Sequence, residues 1–126
     1  MKRIYTFGHE QVERNITVGD IISNKNNNIK MTQVTAANRE EASIIAEQNI
    51  DMIITGSDWY EDVRKGAPNT FITAALFAGR FITNEEILRG AFDVMMKGAD
   101  SVLTPRSFDV VEMLAKEGMQ VQGHVG

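Results

Sequence analysis

Residues 51–79, DMIITGSDWYEDVRKGAPNTFITAALFAG, carry two near-continuous apolar runs, Met52 to Thr55 and Thr70 to Leu76, separated by a short connection. Strands covered by helices on both faces have this composition, whereas strands with one wet face alternate apolar and polar residues. The pair therefore predicts neighbouring parallel strands. In parallel α/β architectures ligands collect where strands end, so the informative residues are those closing each run, Gly56-Ser57-Asp58 and Ala74-Ala75. Between the runs, Trp59 to Lys65 has room for two helical turns before Gly66-Ala67-Pro68-Asn69 breaks the chain.

The pattern repeats on both sides. Upstream, Met31 to Ala36 reads as a strand, and Asn38 with Glu41 opens a helix through a capping box, with Ala42, Ile45, Ala46 and Ile50 along one face. Asn49 is expected to close that helix in the left-handed conformation. Downstream, Thr83 and Glu86 form another capping box for a helix whose apolar face runs from Ile87 to Met95 and which stops at Gly98. The Met95-Met96 pair on it reads as core or subunit contact. Asp100 to Thr104 is the next strand, Ser107 caps a helix carrying Val110, Val111 and Leu114, Gly118 ends it, and Gln120 to Gly126 is strand-like. The joints Asn49-Ile50-Asp51 and Gly98-Ala99-Asp100 share a helix stop, a small or apolar residue and an aspartate before a buried strand. This is a βα repeat, which implies right-handed crossovers and a parallel sheet.

Ahead of the repeats, residues 1–28 form an N-terminal segment: Ile4, Tyr5 and Phe7 suit a short edge strand, residues 9–14 are polar, and Thr17 with Asp20 starts a short capped helix ending in an asparagine turn at 24–28. The whole, 1–126, reads as one α/β domain, with βα repeats over 29–126. Two closures suit it. A flavodoxin-like sheet fits the length but normally ends on a helix, whereas this sequence ends on a strand. An eight-stranded barrel needs at least about 200 residues, which makes these residues roughly its first half, with about five strands. The strand order decides: sequential neighbours mean the barrel, a central first strand the open sheet. Because a terminal parallel strand lacking its helix is poorly buried, the sequence is expected to be the front of a longer polypeptide or to be completed by another chain.

Composition excludes several functions. A net charge of −4 with 13 scattered basic residues offers no long-range attraction for nucleic acid or an anionic membrane. With no cysteine there is no disulfide framework and no thiolate metal site. No apolar run reaches membrane-spanning length and the N-terminus lacks a signal-peptide core, so a cytoplasmic location is expected.

Five segments in order, Thr17-Val18-Gly19-Asp20-Ile21, Lys30 to Ala36, Arg64 to Asn69, Met96 to Asp100 and Gly123-His124-Val125-Gly126, give residues 16–126 a resemblance to the N-terminal half of the ketopantoate hydroxymethyltransferase (3-methyl-2-oxobutanoate hydroxymethyltransferase) family, within the phosphoenolpyruvate mutase and isocitrate lyase superfamily. The resemblance implies a (β/α)8 barrel. It also implies enolate chemistry on a branched 2-oxo acid with Mg2+ and methylenetetrahydrofolate, in pantothenate biosynthesis. Carboxylates would have to hold such a cation with positions left open, and here the sequence departs from the family. The family's aspartate after the second strand's glycine is Ser57, with Asp58 one residue late, so that its side chain points the other way. Its third-strand aspartate aligns with Ala75. The lysine and glutamate ending the fourth strand align with Leu103 and Pro105, and the tyrosine and aspartate after the first strand become Ala37 and Asn38. The segment between the family's second and third strands is mostly absent, and its general base belongs to the second half.

Candidate site residues remain. Asp58 is either a surviving metal or acid–base group or, the commoner use, an N-cap for the following helix. His124, at the end of the last strand, is the other candidate acid or base. Gly56, Ser57, Thr104 and Arg106 are candidate substrate contacts, Arg106 through a carboxylate or phosphate near a helix start; backbone capping explains Ser57 and Thr104 equally well. Trp59 and Tyr60 either cover a shortened pocket mouth or pack on a helix. The sequence thus predicts a diverged member, inactive or repurposed to bind a small carboxylate or phosphate without a metal, in a homo-oligomer or with a chain completing the barrel. The alternative is an active transferase or lyase of the superfamily completed by groups outside this sequence, and a third is a flavodoxin-like binding domain.

Overall fold

The computed structural model describes residues 1–125. Its N-terminal segment makes an antiparallel hairpin, β1 (Lys2–Tyr5) and β2 (Gln11–Arg14), with Ile4 opposite Val12. After α1 (Val18–Asn26) come strands and helices in alternation: β3 (Gln33–Thr35), α2 (Arg39–Ala46), β4 (Met52–Gly56), a 3-10 turn at Ser57–Trp59, α3 (Tyr60–Gly66), β5 (Phe71–Ala75), α4 (Asn84–Met96), β6 (Ser101–Thr104), α5 (Phe108–Lys116) and β7 (Val121–Gly123). The five strands from β3 to β7 form one parallel sheet in sequential order. That order removes the flavodoxin-like alternative, whose first strand would be central, and gives a half-barrel-like unit with helices on its outer face.

The core lies between sheet and helices. Ile53, Ile72, Ala74 and Val102 of the strands pack with Val63 of α3, Ile87 and Ala91 of α4 and Leu114 of α5. Two of the three expected capping boxes form: the Thr17 and Thr83 hydroxyls accept from Asp20 and Glu86 N–H, and both carboxylates return to the cap backbone. At α2 the Asn38 side chain accepts the Glu41 N–H, but Glu41 Oε1 accepts the N–H of Ala37 instead of that of Asn38, so only half of that box is made. Each carboxylate is held below its ordinary range, Asp20 chiefly by Lys2 and Glu86 chiefly by the Thr83 N–H. Gly98 and Gly118 end α4 and α5 at φ +109° and +85°, a conformation that costs glycine nothing.

The repeated aspartates share a task. Asp51 accepts from the N–H (2.8 Å) and hydroxyl (3.2 Å) of Thr32, just before β3, and Asp100 accepts from the Ile72 N–H (3.0 Å) in β5. Each aspartate ahead of a strand therefore satisfies the backbone at the start of the neighbouring one.

Several local expectations change. The polar segment 9–14 is largely the second strand of the hairpin, because its turn, with His9 at φ 66°, brings β2 back onto β1. Asn49 does not adopt the left-handed conformation; α2 ends earlier, at Ala46 with Glu47 as its C-cap, and Ala46 is exposed. Asp58 makes no cap: it sits inside the 3-10 turn, and the position ahead of α3 is Trp59, without a side-chain bond. Ser107 holds the N-cap position of α5, but its hydroxyl makes no capping bond.

Candidate functional site

Along each strand the residues between the core positions face the concave side of the sheet. Gln33, Met52, Phe71, Thr73, Ser101 and Gln122 line a cavity there of about 310 Å³, with Val18 and Ile21 of α1 lying across its lower end. Above it, at the C-terminal ends of the strands, is a second cavity of about 270 Å³. Its walls are Thr35, Ile54, Gly56, Ala75, Leu103 and Pro105, with the rings of Trp59 and Phe77 at the rim. The two rings meet edge to face, centroids 5.8 Å apart. Gly56 makes this approach possible, since a Cβ there would lie 2.7 Å from Phe77 Cε2. Thr55 borders the same cavity, and its buried hydroxyl has no hydrogen-bond partner among the described residues.

Of the candidate acid–base and substrate-contact residues, only Gly56 lines this mouth; Ala75 and Trp59, which the sequence also singled out, line it too, Trp59 at the rim. Ser57 and Asp58 open instead onto an outer groove of about 690 Å³ that also contains Glu61, Arg80 and Lys97. Asp58 pairs there with Arg80. Lys97 reaches Glu61 (2.9 Å) and Asp93 (3.3 Å), and the Glu61 carboxylate leads in raising the Lys97 ammonium above its ordinary range. Thr104 is fully buried, and its hydroxyl accepts the Arg106 N–H (3.2 Å). Arg106 turns its guanidinium to the carbonyls of Phe81 (3.2 Å) and Ile82 (2.7 Å), tying the loop after β6 to the loop before α4. His124 is exposed just beyond β7, and Gly126 of the same motif lies outside the described residues. Tyr60, the first residue of α3, is buried in the core, its hydroxyl accepting from Arg64 Nε (2.9 Å).

The donor set at the mouth does not fit a chelated divalent cation. The strand ends present Thr35, Gly56, Ala75 and Leu103, and no three His, Cys, Asp or Glu among the described residues lie close enough to hold a metal. Hard cations need several oxygen donors. No step through Mg2+ follows from this geometry.

A polar cluster lies at the opposite end of the sheet. Asp100, with its side chain 3% exposed, accepts from Arg14 Nε (2.9 and 3.0 Å), Arg64 Nη2 (2.8 Å) and the Ile72 N–H. Arg14 also donates to the carbonyls of Glu13, Pro68 and Gly98. Beside it Asn15 gives its amide to Asp51 O (2.8 Å) and accepts from Phe71 N–H (2.9 Å). The N-terminal ends of barrel strands are where polar residues serve stability, and this network clamps the hairpin under the sheet. Arg14 carries no local signal in the sequence, since the groups it clamps, Pro68, Gly98 and Asp100, lie more than 50 residues away.

Comparison with known proteins gives a distant relationship. The chain is 29% identical over 136 residues to a 3-methyl-2-oxobutanoate hydroxymethyltransferase of Kosmotoga olearia, covering 88% of this chain and 51% of that protein. A protein of the same name from Geobacillus kaustophilus is 30% identical over 122 residues, 76% of this chain and 44% of its own length. One from Deinococcus radiodurans is 41% identical over 70 residues, 51% of this chain and 25% of that protein. The chain spans about half the length of most of the curated relatives it matches, or less. No protein-family model matches it.

Proposed function

We propose that this chain is a diverged relative of the 3-methyl-2-oxobutanoate hydroxymethyltransferases, without catalysis of its own, repurposed to bind a small carboxylate with a branched apolar tail independently of a cation. The observation that carries this reading is the lining of the mouth. Where a cation-dependent site needs carboxylates, this chain presents Gly56, Ala75, Leu103 and Pro105 under an aromatic rim. The tail enters between Ile54, Leu103, Trp59 and Phe77, and the carboxylate stays at the open rim in water. Burying an isopropyl group contributes about 2 kcal/mol, so affinity is weak.

Trp59, the one tryptophan, reports on the site directly. Titration with 3-methyl-2-oxobutanoate is expected to change its fluorescence with a dissociation constant of roughly tens of millimolar, equally with and without Mg2+. Gly56→Val, which drives a side chain into the Phe77 ring, abolishes the change. Tight, stoichiometric binding that requires Mg2+ overturns the proposal. A second reading, an active transferase completed by groups outside this sequence, is favoured by the half-length match; turnover of the oxo acid with methylenetetrahydrofolate once a second half is supplied would establish it.

A further inference from the structure

The N-terminal hairpin is held at both ends. At its root the Arg14 guanidinium reaches Asp100, the Asn15 N–H donates to Asn69 O (2.8 Å) and Asn69 Nδ2 donates to Glu13 O (3.1 Å). At its tip Phe7 meets Phe92 of α4 edge to face, ring centroids 5.4 Å apart, and Gly8 lies so near Met96 that a Cβ would touch its carbonyl oxygen at 3.4 Å. Between these anchors lies a cavity of about 330 Å³. Ile4, Phe7 and Ile16 wall it over a buried floor of Phe71, Met95 and Ala99. Because both ends of the hairpin are tied, this wall is kept from collapsing onto the floor, and the cavity is preformed.

The lining sets what such a cavity takes. Asp100 is the only lining residue charged at neutral pH, and its carboxylate is already met by Arg14 and Arg64. An entering anion would face that carboxylate with no lining cation to receive it, and an entering cation would face the two guanidiniums beside it. Either would give up hydration that nothing here replaces. The Thr6 and Thr17 hydroxyls also line the cavity. Each accepts a backbone N–H, from Glu10 (3.1 Å) and Asp20 (3.2 Å), and donates to no group among the described residues. A hydroxyl has one proton to give, so these two suit an oxygen acceptor on an otherwise apolar molecule.

We propose that the cavity under the hairpin is a second binding site, for an uncharged, largely apolar molecule with one hydrogen-bond-accepting oxygen, of the size of a medium-chain ketone or ester. Its volume falls in the range of small-molecule pockets, about 300–1,000 Å³. An apolar cavity of about 150 Å³ holds a benzene ring, so this one takes a molecule roughly twice that size. The site shares no lining residue with the mouth. One of its walls also precedes residues 16–126, the stretch that resembles the hydroxymethyltransferases, so the site is built partly from what this chain adds to that fold.

The test labels the methionine methyl groups of the whole chain with 13C and titrates it with 2-octanone. The Met95 signal is expected to shift saturably, with a dissociation constant of roughly millimolar order, while Met52 on the concave face and Met113 of α5 stay in place. Octanoate and octylammonium are expected to bind at least tenfold more weakly. Ile4→Trp and Ile16→Phe each fill the cavity and should lower affinity for the ketone at least tenfold, with melting temperatures close to that of the wild type. The wild-type titration decides by itself: no saturable shift at Met95, a shift at Met52 as large as at Met95, or octanoate binding as tightly as the ketone overturns the proposal. Undiminished binding in both filled variants overturns it too. Trp59 emission is expected to stay constant throughout, so this site and the mouth stand or fall separately.

Discussion

Replacing Asp100 with alanine should be among the most damaging single changes in this protein. Its carboxylate receives both Arg14 and Arg64 and one backbone N–H, in a site where the Asp100 and Arg14 side chains are each 3% exposed. Truncation leaves the Arg14 guanidinium buried without its counter-charge, which costs about 3–5 kcal/mol. The Ile72 N–H, left without its acceptor, is part of the same loss, because the two effects share one site and do not add. Against a total stability of about 5–15 kcal/mol for a domain of ordinary size, a fifth or more of the margin disappears. Urea unfolding followed by far-ultraviolet circular dichroism should show the midpoint fall by roughly 2 M at unchanged slope, taking a slope of about 1–3 kcal/mol per molar. The double variant Arg14→Met with Asp100→Leu should recover part of that loss, since a buried pair replaced by apolar groups is far less costly than a buried pair broken. A loss below about 1 kcal/mol for Asp100→Ala, or a double variant worse than the single, would refute the account of this cluster as the clamp under the sheet.

Gly66→Ala should destabilise by about 1–3 kcal/mol through overpacking, because a Cβ there falls 2.1 Å from the Arg39 carbonyl oxygen, where α3 meets α2; thermal melts measure it. Burial raises the Tyr60 phenol above its ordinary value of 10.0, so the folded state favours the neutral form. That contribution is complete below the ordinary value and is lost as the pH rises through the folded one, so the melting temperature should fall on the alkaline side, with a smaller slope in Tyr60→Phe. Asp20 and Glu86 titrate below their ordinary range in the folded chain, so their contribution is held above that range and lost as the pH falls through the folded values. The protection factors of the amides at the first turns of α1 and α4 should accordingly fall under acid, and Thr83→Ala should remove about 1 kcal/mol at neutral pH.

By itself the sequence determined what local chemistry can dictate. Apolar runs without alternation made β4 and β5 buried parallel strands, threonine followed by an acid placed two helix starts, and glycines placed two helix ends. Segment order carried the distant relationship to hydroxymethyltransferases. Tertiary structure alone decided the rest, because the groups concerned are brought together from distant segments. Arg14 is an unremarkable residue of a polar stretch until the hairpin slides it under β6, 86 residues away. Asp58 satisfies every local rule for a helix cap, yet the chain tightens into a 3-10 turn one residue early and hands the carboxylate to Arg80. The mouth's lining and the sheet's curvature depend on register between strands, which one residue's identity does not encode; only the fold sets Trp59 against Phe77 and Gln33 against Gln122.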